Sequence, residues 1–131
     1  MLHPSTGAGW LLSMFLKLLI AVFILSGCAN GGWSREDSYR QTGVIALSGI
    51  DWMQTRKIAK NPDDYHENNP LLGTHPSTGK VDAYFAASLA THTAIAAALP
   101  PEYRKWFQYI SIGVESGVVA SNLSIGLGLG F

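Results

Sequence analysis

Apolar and polar positions alternate along the chain with a helical period in three stretches. In the first, about 38–59, Val44, Ile45, Leu47, Ile50, Met53 and Ile58 recur at helical spacing. That periodicity predicts one amphipathic helix, and Asn61-Pro62 stops it. Arg56, Lys57 and Lys60 sit at its C-terminal end, where the carbonyl dipole is negative. The second stretch, Val81 to Leu99, is rich in alanine and carries Asp82 near its start; Pro100-Pro101 ends it. A third helix opens at Pro101-Glu102 and runs towards Gly126. Beyond Lys105 its only charge is Glu115, so the run to Phe131 is long enough to span a membrane.

Between the first two helices, 61–80 holds three prolines, three asparagines, two glycines and two aspartates, the composition of a loop. Its length marks it as functional or poorly ordered. The string Glu67-Asn68-Asn69-Pro70-Leu71-Leu72-Gly73 suits a tight turn, with Leu71 and Leu72 returning to the helices. Asp63, Asp64, His66, Glu67 and His75 are metal ligands by type, but no ligand spacing joins them, and they read as a solvated acidic loop with no metal. The repeated His-Pro-Ser-Thr-Gly at His3 and His75 is coincidence rather than a repeat architecture. At the far C-terminus, apolar residues alternate from Leu123 to Phe131 with a strand period, yet one strand closes no barrel. The expectation is a helix that frays into an extended tail near Gly126.

The second and third helices are expected to form a hairpin about Leu99-Pro100-Pro101, packed through small residues: Ala86, Ala87, Ala90 and Ala94 on one, Gly113, Gly117, Ala120 and Ser121 on the other. The expected fold is all-α: a small three-helix, membrane-associated bundle following an N-terminal signal or anchor helix.

Polar residues interrupt all three helices. Gln108, Ser111, Glu115 and Asn122 fall on one face of the third. Asp51 and Thr55 are four apart on the first, and Ser88 and His92 four apart on the second. Buried charge without a partner is costly in protein or lipid, so these stripes are expected to face each other. The candidate interhelical cluster is Asp51, His92, Gln108, Glu115 and Asn122, with Glu115 near His92 and Asp51. It reads either as a packing device that fixes helix register or as a site for an ion, a proton or a small ligand.

Composition narrows the class. The 131 residues make one domain at most. Nine basic and nine acidic residues balance, which removes any electrostatic case for nucleic acid. Charged residues are only 14% of the chain and hydrophobic ones 47%, a balance that fits membrane association. No serine elbow, phosphate loop, dinucleotide fingerprint or zinc motif is present, so neither an enzyme nor a cofactor is expected.

The one cysteine closes a distinct N-terminal signal. Met14-Phe15-Leu16-Lys17 supplies a short basic region, Leu18 to Leu25 an apolar core, and Leu25-Ser26-Gly27-Cys28 the end. This resembles the bacterial lipoprotein signal, whose lipobox is aliphatic, small, Gly or Ala, then Cys. The resemblance implies a signal peptide at 1–27 with a true start possible at Met14. It implies lipidation (palmitate among the acyl groups) of Cys28, which becomes the mature N-terminus of a lipidated tether at 28–37, followed by a helical domain at 38–131. An uncleaved apolar anchor helix is the alternative. It further implies a bacterial cell-envelope location; Ala29 in place of Asp favours the outer membrane, with the inner membrane open. The Asn-Pro loop after a helix bearing Asp and Thr is similar to small uncharacterised bacterial membrane proteins, which implies no activity. Two functions therefore stand: a lipid-anchored or integral envelope protein with a structural or interaction role, its partners membrane lipid and an envelope protein or a second copy, or a small membrane protein that binds an ion or ligand in the polar cluster.

Overall fold

Three helices and no strand make up the described part of the chain, residues 32–128 of a computed structural model. The expected signal peptide, Cys28 and the last three residues of the alternating tail lie outside those residues. Helix α1 is Arg35–Lys60, α2 is Thr78–Ala98 and α3 is Pro101–Ser124.

α1 starts earlier than its apolar periodicity indicates. Ser34 accepts from the Asp37 backbone N–H and Asp37 accepts from that of Ser34, a capping box that satisfies two orphan donors. The expected tether at 28–37 therefore ends at Ser34, and Asp37 is already a buried helical residue. α2 likewise begins three residues before Val81, because the Ser77 hydroxyl accepts from the Lys80 N–H. Asp82 then lies beyond the first turn and pairs with Arg56 and Trp52 of α1. At the other end of α3, Gly126 takes φ +84° and the Leu127 N–H reaches the Asn122 carbonyl. That left-handed cap turns the chain inward. Leu127 is fully buried and its carbonyl accepts from Gln54, so the expected fraying does not begin there.

α1 is the central helix. α3 runs parallel to it, with Asp37 beside Arg104 near the two N-termini and Gln54 beside Leu127 at the other end. α2 runs antiparallel, Gln41 meeting Thr93 and Trp52 meeting Asp82. Both flanking helices pack on α1 far more than on each other. The expected close hairpin of α2 and α3 is therefore not what forms: Ala86, Ala87, Ala90, Gly113, Gly117, Ala120 and Ser121 all remain exposed. Small residues permit close approach but do not choose a partner, and α1 offers buried polar partners that α2 does not.

Apolar packing is concentrated under the loop. Leu72, Val81 and Phe85 form a buried cluster with Trp52, Ala59 and Tyr84 against it. Asn69 builds the turn that delivers Leu72: its side chain accepts from the Leu71 N–H and its carbonyl from Leu72 and Gly73. Leu72 returns to the bundle as expected, whereas Leu71 is 71% exposed. Among the described residues no helix is long and apolar enough to cross a membrane. The uncharged run of α3 is broken by the polar face that it turns towards α1.

Candidate functional site

Asp37, Gln41, Val44, Ser48, Asp51, Thr55 and Ile58 step along α1 by four and three residues alternately, the seam of a parallel helix pair. Most of these residues are polar. On α3 the matching row is Arg104, Gln108, Ser111, Glu115, Val119 and Asn122. A constant offset joins the rows: Asp37 meets Arg104, Gln41 meets Gln108, and Ser48 bonds Glu115. Each buried polar group in such a seam needs a partner, because desolvation otherwise goes uncompensated.

At the N-terminal end that requirement is met. Arg104 is 1% exposed and donates to Asp37 at 2.9 Å, to the Ala96 carbonyl at 2.8 Å and to the Leu99 carbonyl at 2.9 Å. The Trp33 ring covers it at 5.0 Å. Arg40 also pairs with Asp37 and donates to Gln108 Oε1, while Gln108 Nε2 donates to the Asp37 carbonyl and to Gln41 Oε1. Burial alone would raise the Asp37 pKa. Hydrogen bonds from the Ser34 backbone, Arg104, the Ser34 hydroxyl and Arg40 outweigh it and hold the carboxyl at about 2.

The middle of the seam fixes a histidine tautomer. Gln41 Oε1 is occupied by Gln108, so its amide nitrogen faces Thr93 Oγ1 at 3.1 Å and His92 Nδ1 at 3.3 Å. His92 Nδ1 therefore accepts. The Ser111 hydroxyl donates to the Phe107 carbonyl at 2.9 Å, which leaves His92 Nε2–H to donate to Ser111 across 2.9 Å. Burial pushes the imidazole pKa down, consistent with a neutral ring stacked on Phe107. A serine nucleophile needs the reverse polarity, with imidazole accepting the hydroxyl proton. The His92–Ser111 pair is wired against that role.

Only the C-terminal half of the seam is left incomplete. Asp51 accepts from Asn122 at 3.0 Å, and Asn122 also donates to Gln54 Oε1 at 3.1 Å. Across from Asp51, Glu115 is held by Ser48, yet its Oε2 is buried without a hydrogen-bond partner. The two carboxyls disfavour each other's charge. Burial, then the charge of Glu115, then that of Glu67 raise the Asp51 pKa to about 6, against the opposing bonds from Asn122 and Thr55. Burial raises Glu115 as well, in spite of Ser48.

Both carboxyls line open space. One cavity of about 270 Å³ runs from them towards His92 and Ser111, walled by Val44, Phe85, Leu89, Ile110 and Val114. A second, of about 600 Å³, runs under the loop past His66, Glu67 and Asn69. The cavities share Asp51, Tyr84, Phe85, Val114 and Glu115. They exist because α2 and α3 diverge after meeting at His92, Phe107 and Ser111. Apolar walls around a few convergent polar groups with displaced pKa values are the usual signature of a small-molecule site.

The structure thus puts Asp51, Glu115 and His92 on one cavity, but His92 bonds Gln41 and Ser111, not Glu115. Asn122 supports Asp51, and Gln108 belongs to the Asp37–Arg104 network, which Gln41 links to His92. Among the described residues, no three His, Cys, Asp or Glu side chains are grouped to hold a metal ion. Asp37, Gln41 and Arg104 escaped the sequence reading. Arg104 stands between Tyr103 and Lys105 and reads with them as an interfacial cation, yet its phase with Gln108, Ser111 and Glu115 marked it as a seam residue. Glu67, which adds a third carboxylate, reaches Asp51 only through the loop fold.

No protein-family model matches the chain, and no curated protein or solved structure matches it.

Proposed function

We propose that this chain is a bacterial cell-envelope protein, tethered to a membrane by a lipid on Cys28, whose helical domain binds a small organic cation between Asp51 and Glu115. The observation that carries the binding half is Glu115, whose buried Oε2 has no hydrogen-bond partner, beside a cavity that Asp51 also lines. The lipobox Leu25-Ser26-Gly27-Cys28 supports the tether.

The chemistry of the lining selects the ligand. Two carboxyls that disfavour each other's charge are both relieved by one cation, and an ammonium supplies the donor that Oε2 lacks. Tyr84 and Phe85 add ring surface for a cationic head, and Ile110, Val114 and Leu89 take an apolar body. Both His92 nitrogens are engaged, so the imidazole cannot join as a free ligand. The reading is one of binding, and the donor direction of the His92–Ser111 pair supports it by leaving that serine unactivated.

The test is calorimetry of the full chain with hexylammonium, using 1-hexanol and hexanoate as the neutral and anionic counterparts. Hexylammonium should bind, and Glu115→Gln should weaken it roughly ten- to hundred-fold, the equivalent of one charge-assisted hydrogen bond. Equal binding of hexanol, or an unchanged affinity in Glu115→Gln, contradicts the reading.

A second reading, a structural or interaction role, is favoured by the Asp37–Arg104–Gln108–Gln41 network. It is fully paired, touches neither shared carboxyl, and acts as a device for helix register.

A further inference from the structure

The described chain begins at a particular end of the bundle. Gly32 and Trp33 lie against Arg104: the Gly32 carbonyl is 3.5 Å from its Nη1, and the Trp33 ring is 5.0 Å from its guanidinium. α1 and α3 run parallel, so the first turns of both helices and the Pro100-Pro101 turn share this end. Cys28 is four residues before Gly32. Four extended residues reach at most about 14 Å, so anything attached at Cys28 stays within that distance of this end.

The same end carries exposed aromatic rings: Trp33 at 41%, Tyr39 at 62%, Tyr103 at 62% and Trp106 at 64% exposure. Trp and Tyr are the side chains that favour the boundary between lipid head groups and acyl chains. The fully exposed charges beside them cancel, since Arg35 and Lys105 are offset by Glu36 and Glu102, and the paired Asp37, Arg40 and Arg104 leave one net positive charge behind them. Ring burial, not attraction to anionic lipid, would drive any contact.

We infer that this end docks on the bilayer, with Trp33, Tyr103 and Trp106 seated in the head-group boundary and α1 rising away from the surface. The inference goes beyond ligand binding and uses only the tether of the proposed function. It adds a protein contact with the bilayer beside the lipid on Cys28. It also fixes the orientation of the cavity. Asp51 is sixteen residues along α1 from Arg35, about 24 Å at helical rise, so the loop mouth of the site opens away from the membrane.

The test is fluorine NMR of the full chain labelled with fluorotryptophan, in phosphatidylcholine vesicles that carry a head-group spin label. The Trp33 and Trp106 signals should be lost to broadening, the Trp52 signal kept, and the pattern should be insensitive to salt. An Ile125→Trp variant places a reporter on the exposed face at the far end of α3, and its signal should persist. Its loss together with that of Trp106 would mean that the bundle lies flat along α3, which overturns the inference. Persistence of the Trp106 signal overturns it too. The lipid mass on Cys28 is read by mass spectrometry of the same sample. An unlipidated chain with a broadened Trp106 therefore refutes the tether alone, and a lipidated chain with a sharp Trp106 refutes the docking alone.

Discussion

Replacing Asp51 with asparagine should stabilise the protein at neutral pH. The amide keeps the shape of the carboxyl and still offers Oδ1 to Asn122. What it removes is a charge that the fold disfavours. In the unfolded chain the carboxyl titrates at its ordinary 3.8, and in the folded chain it holds its proton up to about 6. Between those values the folded state binds more protons than the unfolded one. Stability therefore falls as pH rises through that window, and above pH 6 the full penalty applies. That displacement corresponds to about 3 kcal/mol as an upper bound. Because the site opens to solvent through its cavities, screening reduces the expected gain of Asp51→Asn to about 1–2 kcal/mol. Urea unfolding followed by helical circular dichroism, at pH near 7.5 and near 4, measures it. The gain should be present at the higher pH and shrink at the lower. A variant no more stable than wild type near pH 7.5, or a gain of equal size at both, would refute the reasoning.

The remaining expectations concern the paired half of the seam. Arg104→Met should cost about 3–5 kcal/mol in urea unfolding, because it takes the buried cation from the buried Asp37 carboxylate. Arg104→Lys should recover only part of this, since one ammonium cannot span Asp37 and two carbonyls as the guanidinium fork does. In acid, the depressed Asp37 pKa contributes stability that is full above pH 3.8 and lost as pH falls towards 2. The loss should be about 2 kcal/mol and absent in Asp37→Asn, as read by acid titration of the helical signal. Ser34→Ala removes the cap of α1 and should lower stability by about 1 kcal/mol in thermal unfolding.

Much of the architecture is written in local sequence. The apolar spacing of Val44 to Ile58, the Asn61-Pro62 stop and the Pro100-Pro101 break place three helices within a few residues of their true bounds. The common face of Gln108, Ser111, Glu115 and Asn122 also follows from spacing, and the fold turns it onto α1. Pairing of helices was less legible. Alanine and glycine on α2 and α3 allow close contact with any neighbour, whereas the choice of α1 as the shared partner depends on long-range polar matches such as Gln41 with Gln108. Asp37 and Arg104 were hidden by their neighbours, one among tether-like residues and one among exposed aromatics. Their helical phase, and the Ser34-x-x-Asp37 capping box, carried the signal. The cavity itself has no sequence signature, because it arises from two helices diverging.

The central claim is that the incomplete pairing at Asp51 and Glu115 is completed by a cation. Carbon NMR of the two side-chain carboxyls, titrated with and without hexylammonium, tests it most directly. The account predicts that the Asp51 midpoint, near 6 in the free protein, moves down towards the ordinary carboxylate range when the amine is bound, with Glu115 moving the same way. Titration curves for both carboxyls that do not change at saturating amine would contradict it.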